Sequence, residues 1–192
     1  MMHPIINILD LVADIGEEEA ARILSDFSCP KNPEIEEFVR KYAIDFAKRK
    51  VSITYGIFNE RADLAAIFSL THKAIEISSD ILSRTYQKKV QRFAQLDEQS
   101  GVYTVSAFLI AQFGKNAAVD SGGLSGNQMM DAVFGILTRV QHEIGGGLVY
   151  LECEDKEALL SFYGNPQNRF IRFGERYSEK DRVRYIRMFR ML

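Results

Sequence analysis

Residues 121–163 read SGGLSGNQMMDAVFGILTRVQHEIGGGLVYLECEDKEALLSFY. The stretch opens with a Gly-rich turn, Ser121 to Asn127, and passes into an apolar stripe at helical spacing. Met129, Met130, Val133, Phe134, Leu137, Val140 and Ile144 fall on one face, which predicts a long amphipathic helix with ordinary core packing. Gly145-Gly146-Gly147 stops that helix. Leu148 to Cys153 then reads as a short buried strand, and Lys156 to Tyr163 as a second helix ending in Phe162-Tyr163. A Gly-rich turn that opens a helix presents backbone N–H groups and a positive dipole end to a phosphate. A tyrosine at the far end of the same unit supplies a proton. The combination points to a ligand carrying a pyrophosphate with acid–base chemistry beside it.

Upstream, Tyr103 to Phe113 reads as another strand. Its near-continuous apolar run, Ala107 to Ala111, is that of a strand buried on both faces at the centre of a sheet. Tyr103 to Cys153 is therefore a strand–helix–strand unit, whose two strands should lie parallel with a right-handed crossover.

The N-terminal half is read as follows. Pro4–Val12 and Glu17–Phe27 are expected as short helices separated by Gly16, and Ser28–Pro33 as a turn. A longer helix follows Pro33, with Ile35, Phe38, Val39, Tyr42, Ala43 and Phe46 on one face and Lys48, Arg49 and Lys50 at its positive C-terminal end. Ser52–Asn59 and Leu64–Leu70, the latter running toward Ile77, are expected as strands joined by a hairpin turn at Glu60–Asp63. Ser78–Asp80 reads as a helix N-cap, with a basic helix from Ile81 to Phe93 and a loop at Asp97–Gly101. Phe170–Tyr177 and Val183–Phe189 close the chain as strands. The expected class is α/β of the α+β type: a mixed, mostly antiparallel central sheet with helices on both faces.

With 192 residues, 46% hydrophobic and 26% charged, the chain suits one domain, residues 1–192, with a short helical N-terminal extension over about residues 1–26. A formal net charge of −2 gives no global field to recruit nucleic acid or membrane. Positive charge is nevertheless concentrated from Arg169 onward, where Arg169, Arg172, Arg176, Lys180, Arg182, Arg184, Arg187 and Arg190 outnumber Glu175, Glu179 and Asp181. This is either a solvated strand pair or a basic rim for an anionic partner. Cys29 and Cys153 stand in no metal-type spacing and are expected as reduced thiols. His3, His72 and His142 are scattered, so no metal site is expected. The first residues carry no basic leader and no run spans a bilayer, which makes the cytoplasm the default location.

The turn at 121–127 lacks the lysine of a Walker loop, against a nucleotide triphosphatase, and lacks the full GxGxxG spacing of a dinucleotide site. Tyr163, with an ordinary phenol value of about 10, is protonated at neutral pH and suited to donate to a leaving thiolate. Glu152, Glu154 and Asp155 cluster at the end of the second parallel strand, either as a base acting through water or as plain surface carboxylates.

From Asp26 to Phe189 the chain resembles the GNAT superfamily of acetyl-CoA-dependent N-acetyltransferases. Phe27–Ala43 is similar to the first-helix signature of a branch that includes acetyltransferase toxins of bacterial toxin–antitoxin pairs. Ala107–Lys115 is similar to that branch's central strand, and Leu148–Tyr163 to its following strand and helix. The likeness is to uncharacterised Gram-positive bacterial members. The resemblance implies a parallel strand pair that splays apart to admit the pantetheine arm. The backbones of Phe113 and Lys115 would pair with that arm, and the amides of Leu124, Ser125, Gly126 and Asn127 would hold the pyrophosphate. Tyr163 would be the general acid, with the amine attacking the thioester directly. The usual loop reads Arg/Gln-x-x-Gly-x-Gly/Ala, whereas Ser121 and Leu124 stand here at its first and fourth positions. The usual Asn-Gly-Phe turn is replaced by Asn165–Phe170. The acceptor stays open between small-molecule, protein and aminoacyl-tRNA amines. A toxin would imply an antitoxin partner, and a homodimer through C-terminal edge strands is compatible with any of these. The competing reading is a GNAT-shaped interaction module without turnover.

Overall fold

The computed structural model describes residues 3–179 and 182–192. Met1 and Met2 of the N-terminal segment, and Lys180 and Asp181 of the basic C-terminal run, lie outside them. The strands are β1 (Ile5–Asn7), β2 (Ile53–Phe58), β3 (Leu64–Ser78), β4 (Leu96–Asp97), β5 (Val102–Lys115), β6 (Leu148–Glu154), β7 (Ile171–Ser178) and β8 (Val183–Met191). The helices are α1 (Ile8–Ile15), α2 (Glu17–Ser25), α3 (Pro33–Lys41), α4 (Ala43–Lys48), α5 (Arg84–Val90), α6 (Gly126–Ile144) and α7 (Glu157–Gly164). Hydrogen bonding orders the strands β1-β2-β3-β5-β6-β8-β7, with β4 on β5. The sheet is mixed and mostly antiparallel with one parallel pair, β5–β6, as the sequence predicts.

The chain divides into two compact units. The first runs to Thr71 and takes in Ile110–Val133. Its core gathers Ile8, Leu24, Val39, Ala43 and Ala47 from the helices and Phe27 from the segment after α2, with Phe58, Leu64 and Ile67 from the strands. Gly56 is required here, because a Cβ would stand 2.8 Å from the Phe58 ring and 2.9 Å from Leu64. The second unit comprises His72–Leu109 and Phe134–Leu192. Tyr103, Tyr150, Phe173 and Phe189 fill its core with Ile75, Ile77 and Leu148. There β5 and β6 pair only at Phe108↔Val149 and Leu109↔Tyr150, although each continues beyond those positions.

Several boundaries differ from expectation. Pro4–Val12 is not one helix. Ile5–Asn7 pairs antiparallel with Tyr55–Ile57, and the Asn7 side chain accepts from the Leu9 N–H at 2.9 Å, starting α1 there. The helix after Pro33 breaks at Tyr42, whose φ of −120° leaves the helical range, and Tyr42 itself is exposed. The expected helix from Ile81 to Phe93 becomes a 3-10 turn, Ser79–Ile81, followed by α5 capped by Ser83. Gln87 holds that arrangement by donating from Nε2 to the carbonyls of Ser79 and Leu82. Part of the expected Asp97–Gly101 loop is strand, since Leu96 and Asp97 pair with Tyr103 and Val102. Ile144, placed by periodicity on the buried stripe, is 75% exposed at the end of α6.

Candidate active site

In the first unit, the exit of β5 is fixed by Asn116, a buried polar residue. Its Nδ2 donates to the Leu64 carbonyl at 2.8 Å, and its Oδ1 accepts from the N–H groups of Ser28 and Ala118, both at 2.9 Å. Burial without these bonds would be costly, so the side chain specifies where strand becomes loop. Asn59 performs the same role for the β2–β3 hairpin. Its Oδ1 accepts from the N–H groups of Arg61 and Asp63, and its Nδ2 reaches the Asp120 carbonyl at 2.9 Å.

The Gly-rich turn then folds on itself. Gly122 and Gly123 adopt φ of 60° and 76°, a region that glycine enters without a Cβ penalty. The Leu124 N–H donates to the Ser121 carbonyl at 3.1 Å, and the Leu124 side chain is buried. The Lys115 ammonium donates to the Leu124 carbonyl. Ser125 and Gln128 form a reciprocal capping box: the Ser125 N–H donates to Gln128 Oε1 at 2.7 Å, and the Gln128 N–H to Ser125 Oγ at 3.1 Å. Of the four residues predicted to offer amides to a pyrophosphate, Leu124 and Ser125 therefore spend theirs inside the loop. Gly126 and Asn127 stand in the first turn of α6, at the positive end of its dipole. Phe113 is half-buried and Lys115 exposed at the end of β5.

In the second unit, Tyr163 ends α7 with 8% of its surface exposed. Its ring sets an edge against Phe162, centroids 5.0 Å apart, and against Phe170 at 5.9 Å. Burial pushes its phenol well above the ordinary value, with Cys153 adding to the shift. Tyr163 is therefore neutral and protonated over the physiological range. Each nearby candidate base is matched to a cation. Glu152 accepts from Arg176 Nε at 2.5 Å and from the Tyr150 hydroxyl, Glu154 pairs with Lys156, and Asp155 lies 3.8 Å from Arg184. The Tyr150 phenol is pushed up to about 12 by burial and then by its bond to Glu152. Among the described residues no group of three or more His, Cys, Asp or Glu stands at metal-binding spacing, and no helix is long and apolar enough to cross a membrane.

Reading along the sequence missed Asn59, Asn116, Gln128 and the Lys115 side chain. The capping box had a local signal, Ser-x-x-Gln at 125–128. The asparagines had only a local turn signal, Asn59 with Arg61 and Asp63 and Asn116 with Ala118, because their other partners, Asp120, Ser28 and Leu64, are far away in the chain.

No protein-family model matches the chain, and no curated protein does. Solved structures do. A tyrosine-to-phenylalanine mutant of KacT superposes with a TM-score of 0.66 at 14% identity, covering 100% of this chain and 95% of that one. AtaT complexed with acetyl-methionyl-tRNAfMet gives 0.65 at 12%, covering 96% and 94%. AtaTR bound with AcCoA gives 0.60 at 12%, covering 98% and 92%. The fold is that of the GNAT acetyltransferases. At these identities the likeness is one of fold.

Proposed function

We propose that this chain is an acetyl-CoA-dependent N-acetyltransferase that moves the acetyl group to a primary amine by direct attack. The observation that carries the reading is the GNAT fold, with its parallel β5–β6 pair joined at only two residue pairs. A solved neighbour holding AcCoA adds support. In this reading the backbones of Phe113 and Lys115 bind the pantetheine arm. The first turn of α6, at Gly126 and Asn127, receives the pyrophosphate on its N–H groups and dipole. The amides of Leu124 and Ser125 join them by exchanging their loop partners for phosphate oxygens. Tyr163 holds a proton for the departing coenzyme A thiolate. That KacT is solved as a tyrosine-to-phenylalanine mutant makes the same change the natural probe here.

The ion-paired state of Glu152, Glu154 and Asp155 narrows the acceptor. With no unpaired carboxylate among these three, the amine must arrive largely neutral. An α-amino group titrates near 7.7–8.0 and a lysine side chain near 10.4, in approximate reference values. An α-amine is therefore the favoured acceptor, on a small molecule, a polypeptide N-terminus or an aminoacyl-tRNA. The AtaT–tRNA neighbour makes the last of these worth testing first, and an antitoxin partner would accompany it. The experiment is thiol release from acetyl-CoA against matched α-amines and ε-amines, including charged tRNA. Preferential turnover of α-amines is expected, and equal use of ε-amines contradicts the acceptor assignment.

The closed loop favours one alternative, an interaction module without turnover. Ser121 stands where a cation or amide is usual, and two amides are already engaged.

A further inference from the structure

The turn after α7 contains more buried polar structure than a surface connection requires. Asn168 is fully buried. Its Nδ2 donates to the Phe162 carbonyl at 2.8 Å, and its N–H donates to Asn165 Oδ1 at 2.8 Å. Its carbonyl accepts from Arg190 Nη1 at 3.0 Å. Arg190 lies half-buried on β8 with its guanidinium carbon 3.9 Å from the Phe134 ring centroid. Among the described residues it makes no ion pair with a carboxylate. Burial, with Arg169 adding like-charge repulsion, lowers its affinity for its proton.

Keeping a partly desolvated cation without a counter-ion is costly, so its other contacts matter. Phe134 stacks on Phe170 with centroids 6.2 Å apart. Phe170 sets its edge against Tyr163, and its N–H donates to the Tyr163 carbonyl at 3.0 Å. Arg169 adopts a left-handed φ of 56° and donates its N–H to the Asn165 carbonyl at 2.9 Å. Two routes thus run from Arg190 to the end of α7. One passes through the Asn168 backbone and side chain to Phe162, and the other through the Phe134 and Phe170 rings to Tyr163.

We infer that Arg190 and Asn168 form a brace that sets the position of the Tyr163 phenol, and that both are positioning residues for its proton donation. The inference rests on the reading of Tyr163 as the general acid. The brace ties the turn that carries Pro166 to β8 and to the end of α7, where Tyr163 is buried. A misplaced donor costs rate even when binding is intact, because proton transfer depends on distances of a few tenths of an ångström.

The test uses the full chain isotope-labelled at the tyrosine Cζ, with the Tyr163 signal assigned from Tyr163→Phe. Asn168→Ala, Arg190→Met and Arg190→Lys are compared by NMR titration, calorimetry with acetyl-CoA, and kinetics with the best amine from the screen. Asn168→Ala and Arg190→Met should bind acetyl-CoA as wild type does. Their Tyr163 signal should shift and titrate closer to the ordinary phenol value of about 10. Their kcat should fall about tenfold or more, with KM for acetyl-CoA unchanged. Arg190→Lys keeps a cationic donor and should recover most of the loss. An unchanged kcat in Arg190→Met overturns the brace, whatever the signal does. That variant leaves the hydrogen bonds within the turn in place, so it decides alone if Asn168→Ala does not fold. If Tyr163→Phe itself retains full kcat, the acid assignment falls and the catalytic role of the brace with it. If Tyr163→Phe is inactive and Arg190→Met is unimpaired, only the brace falls.

Discussion

Tyr163 combines burial, a raised phenol value and an aromatic cage of Phe162 and Phe170. Tyr163→Phe keeps the ring and removes only the hydroxyl. If the tyrosine is the acid, kcat should drop by about 10²-fold or more with acetyl-CoA affinity unchanged, as read by steady-state kinetics beside calorimetry. Equal losses in binding and turnover would instead assign it a packing role. Gly147 offers a purely structural test. A Cβ there would lie 2.0 Å from Phe93 Cζ, the tip of a ring that is 41% exposed, so Gly147→Ala should turn that ring outward and destabilise by about 0.5–1 kcal/mol. Adding Phe93→Ala should return part of that loss, giving a clear coupling in a double-mutant cycle. Of these residues, only the place of Tyr163 at the end of a helix was readable in the sequence. Phe93 was not, since its contact with Gly147 joins segments far apart in sequence.

At the level of the element, the turn into α6 would couple stability to acetyl-CoA binding under the proposed function. Ser125 and Gln128 cap the helix reciprocally, and in the proposed acetyl-CoA complex the same Ser125 N–H would turn to the pyrophosphate. Gln128→Ala should lower stability by about 0.5–2 kcal/mol in denaturant unfolding. It should also tighten acetyl-CoA binding, because the competitor for the Ser125 amide is gone. Weaker binding by Gln128→Ala would show that this amide is not exchanged. The long periodic helix, the parallel strand pair and the hairpin at Glu60–Asp63 were legible because each has a strong local pattern. β1, the break at Tyr42 and the start of α5 were not. The first depends on pairing with β2, the second on one backbone dihedral, and the third on Gln87 reaching back to Ser79 and Leu82.

Across the whole molecule, the buried acids with the largest upward shifts, Tyr150, Cys153 and Tyr163, lie in the second unit. Burial lifts the Cys153 thiol from 9.0 to about 11 and the Tyr150 phenol from 10.0 to about 12, and it lifts Tyr163 further. A raised folded value means that the native state holds its proton more tightly than the unfolded chain. The stability each group contributes is complete below its unfolded value and is lost as pH rises through the folded one. Tm should therefore be level on this account up to about pH 9 and fall between about pH 9 and 11, Cys153 contributing first. Cys153→Ala should flatten the early part of that fall, and a Tm that stays level to about pH 11 would contradict the linkage. The sheet order and the two-unit division follow from contacts that no local window reveals, whereas the fold class was readable because strand, helix and strand alternate in a distinctive order. In the proposed reaction the first turn of α6 receives the pyrophosphate of acetyl-CoA. Calorimetry of acetyl-CoA with the wild type and Gly126→Glu tests it most directly, because the glutamate puts bulk and like charge where the phosphates would sit. Micromolar binding by the wild type, abolished in a variant that still melts cooperatively, is the predicted result. No binding by the wild type, or equal binding by both proteins, would contradict the account.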